Sequence, residues 1–201
     1  MSVKWWKKIY PAVKLWKHNF HVESPLTPAA RWRFKIILIQ IEKMENGFNF
    51  CKQQYEFVRE SRAVLFNYCK TISEKHFIAE NNFFGRGGSI RNLLVHIANT
   101  YEFWIAQQSL NREVIFSTYN SKETVTDIVE LFDIVDIFMN EFISLIAENK
   151  LIEYKVNEIK NTAAPFRLFS HVITHEFHHK GQILSVSRHL GYLPVDTDIM
   201  R

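Results

Sequence analysis

Apolar residues recur at helical spacing along four long stretches of this chain. The first runs from about Asn49 to Ser73, where Phe50, Tyr55, Phe57, Val58, Leu65, Phe66 and Tyr68 make a broken stripe. Ser89 fits as N-cap of a second, about Ile90 to Gln108, whose stripe is Ile90, Leu93, Leu94, Ile97, Tyr101 and Trp104. Asn120 with Glu123 three residues on has the form of a capping box for a third, about Lys122 to Ala147. Pro165 suits the first turn of a fourth, which continues to about Leu190 before Gly191 and Pro194 stop it. Leu151 to Ala164 is mixed, extended or irregular. Four long helices with short links predict an all-α protein, a four-helix bundle.

Residues 1–43 depart from this pattern. They show no sustained period, include Pro11, Pro25 and Pro28, and carry nine Lys/Arg against two acids, with four of the five tryptophans. Residues 44–201 carry sixteen Lys/Arg against nineteen acids, so the net charge of +4 does not describe the body and says little about nucleic acid. We therefore expect an N-terminal extension outside the fold over 1–43 and one domain over 44–201. The rival readings of the extension are a docked arm and a tether, with Lys4, Trp5, Trp6, Lys7, Lys8, Lys14, Trp16 and Lys17 meeting an anionic surface.

Apolar residues make up 47% and charged residues 23%, which places the chain among globular proteins. No apolar run reaches the roughly 18–20 residues of a membrane span. The start lacks the apolar core and cleavage site of a secretory signal. Cys51 and Cys69 are 18 residues apart. On one helix that is roughly 27 Å at about 1.5 Å per residue, too far to bridge. These features point to the cytoplasm.

The candidate chemistry lies in the fourth helix, which holds His171, His175, His178, His179 and His189. At about 100° per residue, Leu168, Val172, Ile183, Val186 and Leu190 share one arc. His175 and His179 fall in or at the edge of it, while His171, His178 and His189 lie on its flank. Two imidazoles one turn apart on an inward face can close on one divalent metal. Left without a metal, they would need polar partners among aliphatic side chains. A third donor is required. His96, at the edge of the second helix's stripe, is the best placed, and His76, near Lys75 in a connection, competes with it.

The segment His171-Val172-Ile173-Thr174-His175-Glu176-Phe177-His178-His179-Lys180-Gly181-Gln182 resembles the C-terminal signature of the DinB-like superfamily, where Arg often stands at the position of Lys180. Leu93-Leu94-Val95-His96-Ile97-Ala98-Asn99 with Trp104 is similar to its second-helix motif. The resemblance covers about residues 45–201. It implies a four-helix bundle in which His96, His175 and His179 bind a divalent metal, zinc or nickel, with an open coordination position. It further implies a homodimer and kinship with transferases that use a low-molecular-weight thiol such as bacillithiol, mycothiol or glutathione. It does not imply DNA binding. The expected function is thiol transfer between small molecules, and the alternative is a non-enzymatic metal-binding bundle of the stress response.

Three further patterns compete. His175-Glu176-Phe177-His178-His179 spells the H-E-x-x-H of metalloproteases. However, Gln182 and Ser185 stand where the extended motif needs Gly and His, and no downstream glutamate follows. Gly85-Arg86-Gly87-Gly88-Ser89 with Arg91 enters a helix start and could receive an anion, though it lacks the P-loop lysine. Glu176 and Lys180, one turn apart, read as an exposed i,i+4 pair.

Overall fold

The computed structural model describes residues 27–80, 88–146, 148 and 150–201. The expected basic and aromatic anchor between Lys4 and Lys17, and Gly85 to Gly87 of the glycine-rich loop, lie outside the described residues. Two compact units divide after Glu42. Of the first, residues 27–42 are described, and Trp32, Ile37 and Ile39 there are exposed. Among the described residues, no helix is long and apolar enough to cross a membrane.

Helix α1 spans Pro28–Cys69. This corrects the expected start near Asn49. Pro28 occupies the first helical position, where a missing N–H costs nothing. Beyond it Gly47 is the only helix breaker before Cys69, and one glycine costs about 1 kcal/mol against alanine, too little to end a long helix. Cys51, Tyr55, Val58, Arg62, Leu65 and Cys69 are all buried, and their alternate spacing of four and three residues draws one inward stripe. Both cysteines are on this helix and both are free. Ser73, read as the end of the first helix, instead caps the short helix α2 (Glu74–Ile78) by accepting the His76 N–H.

Helix α3 (Ile90–Tyr101) starts as its cap predicts, with the Ser89 hydroxyl accepting the Asn92 N–H at 3.0 Å. It does not continue as an α-helix to Gln108. From Glu102 to Ser109 the turns widen to a π-helix, closed by the Leu110 N–H on the Ile105 carbonyl. Helix α4 spans Val125–Ile146. Its cap is Thr124 rather than Asn120. The Asp127 N–H bonds the Thr124 hydroxyl, and the Asp127 carboxylate accepts the N–H groups of Glu123 and Thr124. Asn120 receives Arg91 instead, at 3.0 Å. Both pairs have the form of a capping box, and the one used directly abuts the apolar-periodic segment.

The mixed stretch is a hairpin of β1 (Ile152–Val156) and β2 (Ile159–Ala163), antiparallel with Val156 opposite Ile159. Its two-residue turn, Asn157-Glu158, has φ of 49° and 66°, the mirror-image turn that suits strand twist. The hairpin rests on the π-helix: the Lys155 N–H donates to Gln108, and the Tyr154 and Trp104 rings meet edge-on at 5.3 Å. Helix α5 (Pro165–His189) closes the fold, and the Gly191 that follows it has φ of 90°. Among the described residues the fold is thus an all-α bundle of four long helices with one small hairpin. Leu93, Ile97, Val135, Met139, Phe142, Val172, Ile183 and Val186 fill its core.

Charge also lies in that core. Glu176 and Lys180 are not an exposed pair: they are 0% and 1% exposed and meet at 2.9 Å. Arg62, 3% exposed, reaches Glu176 from α1 with two nitrogens, at 3.1 and 2.9 Å, and Asp136 of α4 at 2.7 Å. Tyr101 of α3 donates to the same Glu176 carboxylate at 2.8 Å. Lys180 completes its shell on the Ser61 hydroxyl and the Val58 carbonyl. Burial alone would raise the pKa of Glu176, but the charges of Arg62 and Lys180 outweigh it and hold the carboxyl at about 2. The i,i+4 spacing pairs the two side chains but does not say which face of the helix they occupy.

Removing one member of such a group strips partners from the others: without Arg62, buried Glu176 keeps only Lys180 and Tyr101. Arg62→Met should cost about 3–5 kcal/mol in urea unfolding. The triple variant Arg62→Met, Glu176→Leu, Lys180→Met should recover much of that loss. A loss under about 1 kcal/mol for Arg62→Met would contradict the burial described.

Candidate metal centre

The buried charges set the site's geometry. His175 and His179 immediately precede Glu176 and Lys180, so their row lies about 100° round α5 from the ion-pair row. With Glu176 and Lys180 held in the core, the two histidines are half-buried at its edge, on a helix that packs against α3. His96 is on α3, also half-buried, and its carbonyl accepts the Thr100 hydroxyl at 2.8 Å.

The three rings converge. Their centroids are 5.1 Å apart for His96–His175, 4.8 Å for His96–His179 and 4.3 Å for His175–His179. One ring nitrogen from each lies within 4.8 Å of the others, close enough for one ion to take all three. The Nε2 atoms of His175 and His179 face each other at 3.1 Å. His179 Nδ1 bonds the Gln182 side-chain oxygen at 2.7 Å, whereas His175 Nδ1 is buried with no partner.

The donor set suits a cation. Burial first, then the neighbouring imidazoles, pushes His175 down to about 3. Burial also lowers His179, against the pull of its bond to Gln182. Neutral imidazoles with free lone pairs are the form that ligates a metal. Without a metal the two Nε2 atoms can share one proton as a hydrogen bond, and a divalent ion would take the place of that proton.

Among the described residues, the other histidines do not join the three. His171 is exposed against Trp104, with ring centroids 5.3 Å apart, and lies 6.0 Å from His175. His178 is exposed beside His179 and Gln182. His76, the competing third donor, sits on α2 with Nδ1 against the Tyr192 hydroxyl at 2.9 Å. Glu176, the general base of the H-E-x-x-H reading, has both oxygens occupied by Arg62, Lys180 and Tyr101.

Sequence reasoning missed Arg62, Asp136 and the Tyr101 hydroxyl. A signal for Arg62 was present, since it interrupts the spaced stripe of α1 between Val58 and Leu65. Glu176 and Lys180 similarly interrupt the apolar surface that Phe169 and Val172 begin. Three charges on inward faces of two helices mark a buried network.

The fold and site define a helical bundle that brings three imidazoles from two helices to one point where a divalent metal could be held. The family model for the DinB family matches residues 44–201, and the chain belongs to that family. No curated protein matches it significantly.

The depressed pKa of His175 gives a signed expectation. In the unfolded chain a histidine protonates near about 6.5, so acid below that value favours unfolding while the folded ring stays neutral. In the metal-free protein, the ring resonances of His175 should stay unchanged from pH 8 to pH 5 by NMR. A midpoint between about 6 and 7 would contradict the burial of this ring.

Proposed function

We propose that His96, His175 and His179 hold one divalent metal, zinc or nickel, and that the protein is a metal-dependent thiol transferase acting between a low-molecular-weight thiol and an electrophilic small molecule. The observation that carries the metal reading is the convergence of three ring nitrogens, from α3 and α5, within 4.8 Å. Three protein donors leave a tetrahedral ion one position for a substrate. A divalent ion there supplies positive charge that lowers the pKa of a thiol and favours its thiolate.

The chain's own residues fit this division of labour. Neither cysteine offers a nucleophile: both are buried, and burial pushes Cys51 up to about 11 and Cys69 up to about 12. The attacking sulfur therefore has to come from a small thiol. With both its oxygens engaged, Glu176 serves α5 as an anchor rather than as a base, which disfavours peptide hydrolysis. We place this function in residues 44–201 and read residues 1–43 as an extension that takes no part in it. Nucleic acid is not an expected partner, and a homodimer is the proposed assembly.

Elemental analysis should find about one divalent metal per chain. His179→Ala and His96→Ala should each lose most of it, while His76→Ala, His171→Ala and His178→Ala keep it. At a metal concentration 100-fold above Kd, the wild type gains about 2.7 kcal/mol of stability, and His96→Ala should forfeit most of that gain. Full metal in His179→Ala would refute the assignment. Metal-loaded protein should then turn over at least one pair from a panel of thiols and electrophiles. Activity no higher than that of the metal-free control with every pair would favour a non-enzymatic metal-binding bundle.

A further inference from the structure

We propose that Gln182 is a positioning residue for the three-histidine site: its side-chain oxygen decides which nitrogen of His179 carries the proton. This rests on the metal reading above. Gln182 follows His179 by three residues on α5, so the two side chains share a face. Its Oε1 lies 2.7 Å from His179 Nδ1, and its Nε2 lies 3.3 Å from His178 Nε2. An amide oxygen can only accept, so Nδ1 must be the protonated nitrogen of a neutral His179. Nε2 is then bare, and it is the nitrogen that faces His175 at 3.1 Å.

The second amide contact gives this arrangement its direction. His178 Nε2 accepts the amide N–H, which turns the oxygen towards His179. With the amide reversed, its NH2 group would donate to Nδ1, leaving the proton on Nε2 and blocking the nitrogen that faces the cluster. His178 thereby acts at one remove, by orienting the amide. His175 has no comparable support, because its Nδ1 is buried without a partner. Gln182 is thus the outer contact through which the chain fixes the tautomer of a ligand from the α5 pair. Such outer hydrogen bonds typically change metal affinity by about 10–100-fold.

The test uses the full chain and zinc alone, titrated against a chelator. Gln182→Leu, of similar size but without an acceptor, should weaken zinc binding by about 10–100-fold. Gln182→Glu, which retains an acceptor, should bind within a few-fold of wild type. The metal-free thermal midpoints of all three should agree closely. In a second arm, 15N NMR of the metal-free protein should show His179 protonated at Nδ1 in wild type and not fixed there in Gln182→Leu. Equal zinc affinity in wild type and Gln182→Leu would overturn the proposal, as would equal weakening in both variants. So would a wild-type His179 protonated at Nε2. Failure of the wild type to bind zinc would instead refute the metal reading, and the NMR arm would still decide the role of Gln182.

Discussion

The carboxylate of Glu176 ties the bundle together. It belongs to α5 and receives Arg62 from α1, Tyr101 from α3 and Lys180 one turn along its own helix, while Arg62 also holds Asp136 of α4. All four long helices meet in one hydrogen-bonded group. Apolar packing supplies most of the stability but tolerates small rotations of a helix about its axis. A buried carboxylate tolerates far less, since misalignment by an ångström or two leaves a charge unpaired in a medium that cannot solvate it. We regard this group as the device that fixes the rotation of α5, and the histidine row lies one residue from it.

That placement explains why the H-E-x-x-H spelling misleads. In a protease the glutamate would have to face the metal beside its two histidines. In this chain the glutamate points into the core, and the histidines stand at the edge against α3. The same five letters therefore give a structural anchor and a pair of half-buried histidines on neighbouring faces. Gln182 extends the arrangement outward, from His179 towards the exposed His178.

Much of this was legible in the sequence. The starts of the second and fourth helices are read correctly from Ser89 and Pro165 because each has a local start signal with a chemical cause. Helical spacing puts His175 and His179 on one face, and the structure brings His96, the third donor expected, to within 4.8 Å of them. What was not legible depends on tertiary contact. The helix from Pro28 to Asn49 lacks an amphipathic stripe to reveal it, and the cap at Thr124 competes with an equally good signature at Asn120. The widening of α3 after Tyr101 has no spelling that periodicity detects. Glu176 and Lys180 are misread as a surface pair because their partner, Arg62, lies 114 residues from Glu176 in sequence. Only the matching interruption of the α1 stripe hints at it.

We propose that this buried lock presents three imidazoles, and no other donor among the described residues, to one ion. X-ray absorption at the zinc edge of the zinc-loaded protein tests that most directly. The account predicts three imidazole nitrogens at about 2.0–2.1 Å and one further light atom. A sulfur at about 2.3 Å from Cys51 or Cys69, or a best fit with fewer than three imidazoles, would contradict it.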